Sequence, residues 1–295
     1  LLSMMYVILI VGFVLLIKGA DFFVEGSSAA AKLFKIPPLI IGLTVVSMGT
    51  SLPEASVSIS ASLAGKNELA VSNAVGSNIF NLMVVCGVCA AICPLAINKD
   101  TLKRDFPISI AAAGLLMGLG AFGASVGHLD GAILLAVFVG FLYLMVASAK
   151  KARQEAEDEY KAMPVWKILV YVVAGAAAIV VGGKMVVSGA SDIAKSFGMS
   201  ENLIGMTIVA FGTSLPELVT SVVAARKKEV DMAVGNVVGS NIFNILFVLG
   251  SAAAISPIVF SMENIIDSAV LIVMSALVML MCFKKKELSR LHGWI

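Results

Sequence analysis

The sequence predicts an all-α, polytopic membrane protein made of two inverted-topology repeats of five transmembrane helices each. Its 295 residues are 59% hydrophobic and only 14% charged, with a mean hydropathy of +1.01, whereas soluble globular chains are about 45–50% apolar and about 25% charged. The apolar runs are long and unbroken, which favours helices over the alternating pattern of a membrane barrel. Two motifs recur at one fixed offset of 163 residues, which predicts the repeat.

The balance of charges excludes two classes of protein. With Lys+Arg 21 against Asp+Glu 19, the net charge is only +2 and no basic face forms, so no nucleic-acid partner is expected. So small a charged fraction also cannot cover two soluble domains, which would be the usual expectation for a chain of this length. Membrane lipid is therefore the expected surrounding of most of the chain.

Nine apolar runs, separated by Gly, Pro and charged residues, are each long enough to cross a membrane, which takes about 20 apolar residues. The first run is too long for a cleaved signal peptide, so we expect it to be a mature spanning helix. The runs cover residues 4–33, 37–64, 69–95, 106–125, 130–149, 165–196, 200–225, 230–256 and 264–283.

The only extended hydrophilic stretch, residues 150–164, divides the chain into two halves. We expect residues 1–149 to form the first repeat, with helices one to five, and residues 165–295 to form the second, with helices six to nine. At the same offset, the fifth run should recur beyond Ile295. A tenth helix is therefore expected to lie outside the sequence given.

Lysine and arginine residues set the expected orientation, because they accumulate in cytoplasmic loops. If the N-terminus is outside, 17 of the 21 basic residues lie on the cytoplasmic side, Lys66 and Lys195 lie outside, and Lys18 and Lys184 lie within long helices. Residues 150–164 then form a cytoplasmic connector. The plasma membrane is the expected location.

Two pairs of motifs carry the internal repeat. Residues 42–54 (GLTVVSMGTSLPE) match residues 205–217 (GMTIVAFGTSLPE) at 9 of 13 positions, and residues 71–81 (VSNAVGSNIFN) match residues 234–244 (VGNVVGSNIFN) at 9 of 11. Because each repeat holds five spans, an odd number, the second copy enters the membrane upside down. Inverted repeats are typical of secondary transporters, which bind their substrate near mid-membrane between the repeats.

Glu54 and Glu217 stand out because each lies in the motif G-T-S-L-P-E within an apolar run. A carboxylate inside the membrane is costly, and it marks a functional site by default. The preceding Pro53 and Pro216 lack an N–H, so carbonyl groups one turn earlier lose a donor where no bulk water is present. A dehydrated cation is one partner for such carbonyls, and a plain structural kink is the alternative.

Polar side chains form duplicated stripes around these two carboxylates. Polar residues on membrane helices often serve only to hold helices together, but that role does not explain two matching sets around two acids. The spacing of 3, 1 and 3 residues in the first stripe places its members on one helix face, and we expect the stripes to converge as an ion cage. They consist of Ser47, Thr50, Ser51 and Glu54; Ala210, Thr213, Ser214 and Glu217; Asn73, Ser77 and Asn81; and Asn236, Ser240 and Asn244.

The ligand chemistry of this cage indicates which ions it would hold. Oxygen ligands without thiol or imidazole suit hard cations such as calcium, whereas transition metals prefer Cys or His. Two carboxylates supply a charge of about −2, which one Ca²⁺ or two or more Na⁺ would neutralise. If both ions compete for one cage, only one kind is carried at a time and exchange follows. Ca²⁺ and Na⁺ are the expected bound ions, with no cofactor.

Two other functional classes fit the sequence less well than a transporter does. A cation channel should show a continuous polar pore and oligomeric symmetry, whereas the symmetry here lies within one chain, which is expected to function as a monomer. An enzyme acting in the membrane would need a nucleophile with a base, but neither Ser51 nor Ser214 has a histidine, and no catalytic residue is expected.

The doubled pair of G-T-S-L-P-E and G-S-N-I-F-N, in inverted order, resembles the α-repeats of the calcium/cation antiporter superfamily, in its sodium/calcium exchanger branch. The resemblance covers the whole chain. It implies ten helices, with the second, third, seventh and eighth forming the ion-binding core and the long first and sixth sliding across it. It also implies metal-binding roles for Glu54, Glu217, Thr50, Thr213, Ser51, Ser214, Ser77, Ser240, Asn81, Asn244, Ser47 and Ala210.

Within that set, the resemblance assigns calcium to Glu54 and Glu217 with the carbonyls of two threonines, and flanking sodium sites to the serines with the carbonyls of Ser47 and Ala210. Two departures bear on the coupling ion. Several relatives, including the potassium-dependent branch, carry Asp where this chain has Asn244, and the G-N-x-x-E pattern of the proton/calcium branch is absent at Glu54. Sodium coupling is therefore expected, with potassium or proton coupling as the alternative.

Overall fold

Helices make up nearly all the secondary structure of the chain, shown by a computed structural model that describes residues 2–65, 68–154, 163–283 and 285–294. The first half contains α1 (Leu2–Phe34), α2 (Pro38–Ile41), the π-helical segment π1 (Gly42–Val46), α3 (Ser47–Thr50), α4 (Leu52–Leu63), α5 (Glu68–Phe80), π2 (Asn81–Val85), α6 (Cys86–Ile92), β1 (Leu95–Ala96), π3 (Thr101–Asp105), α7 (Phe106–Gly123), β2 (Ser125–Val126) and α8 (His128–Gln154).

The second half contains α9 (Val165–Ser196), α10 (Glu201–Ile204), π4 (Gly205–Val209), α11 (Ala210–Thr213), α12 (Leu215–Arg226), α13 (Val230–Phe243), π5 (Asn244–Leu249), α14 (Gly250–Ile255), β3 (Ile258–Val259), α15 (Met262–Phe283), β4 (Glu287–Leu288) and α16 (Arg290–Gly293). This half follows the same order of elements as far as β3, but its next long helix, α15, is not preceded by a π-helical segment.

Seven helices among the described residues are long and apolar enough to cross a membrane, and two further pairs of helices form bent spans. Counting each bent pair once gives up to nine spans, the number that the sequence predicts. The seven are Met4–Phe34, Ala70–Ile92, Thr101–Gly123, His128–Arg153, Val165–Ser196, Val230–Ile255 and Met262–Phe283; the pairs are Pro38–Thr50 with Leu52–Leu63, and Thr207–Thr213 with Leu215–Arg226.

The two bent spans differ from the straight helix face that the sequence pattern suggests. The first is bent by 50° at Ser51, whose backbone (φ −85°, ψ 11°) leaves the helix, and the second by 47° at Ser214. Pro53 and Pro216 each stand in the first turn of the helix that follows, where a missing N–H costs little. Each polar stripe therefore wraps around a break, with its glutamate at the start of a new helix.

Short strands join the two halves at both ends of the bundle, and the sequence did not predict them. β1 pairs with β4 and β2 pairs with β3, both antiparallel. Each strand has two residues, which is too short for any alternating pattern to be recognised. The pairs satisfy backbone groups where the chain leaves its helices, and each pair links one repeat to the other.

Two predicted boundaries are corrected because hydropathy marks the membrane and not the end of a helix. α8 runs to Gln154, five residues beyond the predicted end at 149, because the Lys and Arg residues there are good helix formers. The fourth span begins at Thr101 and not at 106, through π3. Residues 155–162 of the predicted connector lie outside the described residues, and the predicted repeat boundaries and tenth helix remain predictions.

The long helices α1 and α9 pack against each other through glycines spaced seven residues apart. A Cβ added to Gly182 would lie 2.6 Å from the backbone nitrogen of Leu16, and one added to Gly12 would lie 2.8 Å from that of Val186. The backbones are therefore in direct contact, as small residues allow between membrane helices. The stripe consists of Gly12, Gly19 and Gly26 on α1 and Gly175, Gly182 and Gly189 on α9.

We expect Gly182→Ala to lower the free energy of unfolding by about 2 kcal/mol, because the added methyl group must push two backbones apart. Gly140→Ala is the matched control, since a Cβ at Gly140 meets nothing within 4 Å and alanine stabilises helices by up to about 1 kcal/mol over glycine. Thermal unfolding in detergent measures both. Equal shifts in the two variants would show that α1 and α9 are not in backbone contact.

Candidate ion-binding site

The predicted ligands lie around irregular turns in four core spans. π1 and π4 precede the two G-T-S-L-P-E motifs, while π2 begins at Asn81 and π5 at Asn244. These four π-helical segments occupy matching positions in the two repeats. A π-helical turn inside a helix is rare and is frequently found at functional sites. Two breaks and four such turns therefore surround one region of the molecule.

Glu54 and Glu217 lie fully buried at the start of α4 and α12, and each is hydrogen-bonded to the opposite repeat. Ser51 Oγ donates to Glu217 Oε1 at 2.7 Å, and Ser214 Oγ donates to Glu54 Oε1 at 3.2 Å. Two ionised carboxylates in one buried site repel one another. The N-terminal ends of two helices, which carry partial positive charge, offset part of that repulsion.

The serines flank this pair of carboxylates unequally. Ser77 Oγ donates to Glu54 Oε1 at 3.5 Å and lies 3.0 Å from Ser214 Oγ, so these three side chains form one flank of the site. Ser240, the counterpart of Ser77, is fully buried, and its Oγ has no hydrogen-bond partner among the described residues. The Ser77 hydroxyl is therefore hydrogen-bonded, whereas the Ser240 hydroxyl has no partner among the described residues.

Asn81 and Asn244 are oriented by two further asparagines. Asn81 Nδ2 donates to Asn241 Oδ1 at 3.2 Å, and Asn244 Nδ2 donates to Asn78 Oδ1 at 3.1 Å. Asn78 and Asn241 in turn donate to each other's backbone carbonyls, at 3.0 and 3.3 Å. The amide oxygens of Asn81 and Asn244 accept no hydrogen bond from any residue that the structure describes.

Five buried side-chain oxygens of the predicted ligand set have no hydrogen-bond partner among the described residues. An unpartnered buried oxygen is costly unless something compensates it. The set contains carboxylate, amide and hydroxyl oxygens, which are the ligands that a hard cation takes. The five atoms are Glu54 Oε2, Glu217 Oε2, Asn81 Oδ1, Asn244 Oδ1 and Ser240 Oγ.

The hydroxyl groups of Thr50, Thr213 and Ser47 donate to backbone carbonyls of their own spans, in contrast to the unpartnered oxygens above. Thr50 Oγ1 donates to the carbonyl of Ser47 at 3.3 Å and lies 3.1 Å from Asn236 Oδ1, while Thr213 Oγ1 donates to the carbonyl of Ala210 at 3.3 Å. Ser47 Oγ donates backwards to the carbonyl of Leu43 at 2.9 Å. The hydroxyls of these residues therefore bond to protein, and the carbonyl of Ser47 also accepts the backbone N–H of Ser51 at 3.0 Å.

Among the residues that the structure describes, no cationic side chain neutralises the two carboxylates. Within the described ranges neither Glu54 nor Glu217 has an ion-pair partner, and no group of three or more His, Cys, Asp or Glu side chains could hold a metal ion. Among the described residues, Glu54 and Glu217 are the acids of the candidate site, and the remaining ligands would be neutral oxygens.

A cavity of about 600 Å³ reaches one flank of the site. It runs between α5 and the segment formed by π4 and α11, and it is lined by residues that include Asn73, Gly76, Ser77, Ala210 and Phe211. A Cβ added to Gly76 would meet nothing within 4 Å. Through this cavity, solvent-sized groups can reach Ser77 and therefore the flank that contains Glu54.

The corresponding passage in the other repeat is closed by glycines. α13 packs against α2, π1 and α3 so closely that a Cβ on Gly239 would lie 2.6 Å from the carbonyl oxygen of Leu43. A Cβ on Gly235 would lie 2.6 Å from that of Leu39, and one on Gly42 would lie 2.6 Å from that of Met232. Gly239 is the repeat counterpart of Gly76. One passage is thus open and its symmetry mate is sealed.

Sequence reasoning missed the residues that connect the long helices to the site. The ring of Phe23 on α1 lies against Gly49, and Val187 on α9 lies against Gly212, so the α1–α9 pair touches both motifs. Ser58 and Ser221 were also missed, although each accepts a hydrogen bond from an asparagine of the next span. The signal was available, because glycines and serines recur at the same offset as the motifs.

An inverted repeat that encloses two buried carboxylates and unpartnered oxygens between its halves defines a secondary transporter for cations. A family model described as Sodium/calcium exchanger protein matches residues 4–147 and 167–295. The chain belongs to this family, within the calcium/cation antiporter superfamily, and is a calcium/cation antiporter.

Relatives match along nearly the whole chain. The inner membrane protein YrbG of Escherichia coli (strain K12) is 37% identical over 288 residues, which cover 94% of this chain and 88% of the relative. The sodium/calcium exchanger MaX1 of Methanosarcina acetivorans is 32% identical over 329 residues, which cover 98% and 94%. A structure of the sodium-calcium exchanger NCX_Mj, soaked with 2.5 mM Na⁺ and 10 mM Sr²⁺, matches with a TM-score of 0.89 at 33% identity, over 100% of this chain and 95% of that chain.

Proposed function

We propose that this antiporter exchanges sodium for calcium by alternating access around the site between its two repeats. One Ca²⁺ would be held by Glu54 and Glu217, and Na⁺ ions would bind at the flanks beside Ser77 and Ser240. The observation that carries the proposal is the pair of buried carboxylates, which have no cationic partner among the described residues and are surrounded by oxygens that also lack a partner there. The chemistry of these ligands is that of hard cations.

Competition for charge explains why such a site would exchange ions. Two ionised carboxylates in a low-dielectric interior require about two positive charges, because an uncompensated buried charge is costly. One divalent ion meets that need, and so do two or more monovalent ions at the flanks. Without bound ions the two buried charges are uncompensated, so switching between the two access states is disfavoured. The protein would therefore switch only with ions bound, which couples the sodium flux to the calcium flux.

The unequal passages support alternating access. The open cavity next to Ser77 and the sealed contact at Gly239 are symmetry mates, so exchanging the conformations of the two repeats would close the first and open the second. Inverted-repeat transporters switch in this way around a fixed site. The α1–α9 pair contacts both G-T-S-L-P-E motifs and would move relative to the core when the conformations exchange.

The direction of opening depends on the orientation in the membrane. If the N-terminus is outside, as the distribution of basic residues indicates, the open cavity faces the exterior and the sealed passage faces the cytoplasm. The plasma membrane is the location that fits a protein exporting or importing calcium against a sodium gradient.

Calcium flux into proteoliposomes tests the proposal. Purified protein is reconstituted, and calcium uptake is measured with a sodium, potassium or proton gradient imposed separately at matched membrane potential. We expect uptake to follow the sodium gradient alone and to be absent from liposomes without protein. Uptake that follows only the proton gradient would replace sodium coupling by the alternative, and the absence of calcium flux under every gradient would contradict the proposed function.

A further inference from the structure

The loop between α12 and α13 is tied to α1 by an ion-pair cluster. Lys227 Nζ lies 2.6 Å from Asp21 Oδ1 and 3.5 Å from Glu25 Oε2, and it also donates to the backbone carbonyl of Asp21 at 3.0 Å. All three side chains are partly exposed. Exposed ion pairs contribute little each, but here one lysine engages two acids and a carbonyl of the same helix.

A second tie lies beside the first and is more buried. Ser28 Oγ donates to Glu229 Oε1 at 2.5 Å, and Ser28 is 7% exposed. A hydrogen bond to an ionised carboxylate is stronger than one between neutral groups. Together these contacts, which we name the latch (Lys227 and Glu229 with Asp21, Glu25 and Ser28), join the α1–α9 pair to the core on the sealed side.

The opposite face of the molecule lacks the residues for an equivalent latch. The counterpart of Ser28 is Ser191, whose buried Oγ has no hydrogen-bond partner among the described residues. In the sequence, Lys184 stands at the position of Asp21 and Lys66 at the position of Glu229. Ala64 stands at the position of Lys227, so the sequence of this repeat has no counterpart for the ion pairs of Lys227. The acid nearest to the corresponding loop is Glu68. Its counterpart in the second repeat is Asp231, which takes no part in the latch.

We propose that Lys227 and Glu229 form a one-sided latch that holds α1 against the core while the passage at Gly239 is sealed, and so sets the resting balance between the two access states. The inference rests on the proposed alternating access. Because the opposite state has no corresponding latch, removing these contacts destabilises only one of the two states. We expect the population of the opposite state to rise about tenfold, the usual scale for a lost charge-assisted hydrogen bond.

Two matched cysteine reporters measure that balance. Ser47→Cys places a thiol at the fully buried edge of the sealed passage, and Ala210→Cys places one at the corresponding position of the open cavity. Both are made in a Cys93→Ser background, which leaves three native thiols that are buried. A water-soluble maleimide is applied to the purified protein, and the labelling rate of each reporter is followed by mass spectrometry.

The latch is removed by the double substitution Lys227→Met and Glu229→Gln. We expect labelling at position 47 to become about tenfold faster, while labelling at position 210 changes little because that site is already open. Lys227→Arg should keep the parent rate. Lys228→Met removes the same charge from the same loop, where the structure shows no ion pair for Lys228 among the described residues, and should also keep it.

Several outcomes would overturn the latch. An unchanged rate at position 47 in the double variant would do so, as would equal acceleration by Lys228→Met. Faster labelling of the buried native Cys282 in the same variant would show general loosening and not a shift between states. Sodium-driven calcium flux of the parent protein is measured alongside: intact flux with an unresponsive reporter refutes the latch alone, whereas absent flux refutes the proposed function.

Discussion

Glu54→Gln should reduce sodium-driven calcium exchange by about 100-fold or more, and Glu217→Gln should do the same. Each substitution removes half of the negative charge of the site while keeping its shape, and losing one charged partner of a buried ionic site costs several kcal/mol. The hydrogen bonds from Ser214 and Ser51 can persist to the amide oxygen. The loss therefore reflects charge and not folding. Initial rates of calcium uptake in sodium-loaded proteoliposomes measure the effect.

Glu263→Gln provides the matched control for these variants. Glu263 lies in the first turn of α15, is exposed, and belongs to no part of the candidate site. We expect it to exchange at the parent rate and to have the same thermal stability as the other two variants. Retention of half the parent exchange rate by either site variant would mean that its carboxylate does not bind the transported ion.

Gly76→Val should leave calcium binding intact but slow exchange by up to about 100-fold. In this structure a Cβ at Gly76 meets nothing within 4 Å, so the larger side chain fits the open cavity. When the passage closes, repeat symmetry brings Gly76 against Ala210, as Gly239 now lies against Ser47. Overpacking of a closed contact costs about 1–3 kcal/mol, and each 1.4 kcal/mol corresponds to a tenfold change.

Gly114→Val is the control for that substitution. Gly114 lies on α7, away from the passage, and an added Cβ there also meets nothing within 4 Å, so both variants carry the same cost of a β-branched residue in a helix. Equilibrium calcium binding and the rate of exchange are measured for both. If Gly76→Val exchanges as fast as Gly114→Val, the passage beside Ser77 does not close at this position.

The fold was largely predictable because its repeat is written into the sequence at one offset. Two long matching motifs require two similar structures, and an odd number of spans requires the second to be inverted. The duplicated stripes predicted that Glu54 and Glu217 converge on one region, because inverted-repeat transporters bind their substrate between the repeats. In the structure each glutamate accepts a hydrogen bond from a serine of the other repeat, Glu217 from Ser51 and Glu54 from Ser214.

The state of the transporter could not be predicted from the motifs, because they are nearly the same in both repeats. Whether a passage is open depends on packing between helices, and the sealed side has Gly235 where the open side has Ser72. Nor could the motifs predict that Asn241 orients Asn81 and that Asn78 orients Asn244. Hydrogen bonds between distant residues leave no local pattern, so sequence spacing suggested only that such residues hold helices together.

Equilibrium binding of calcium to the purified protein, titrated with sodium at constant ionic strength, tests the central claim most directly. The claim is that Glu54 and Glu217 together form a single site for which the two ions compete. We predict one Ca²⁺ bound per chain, displaced by sodium with a Hill coefficient above one, and no measurable calcium binding by the variant with both Glu54→Gln and Glu217→Gln. Calcium binding that sodium leaves unchanged, or that survives in the double variant, would contradict it.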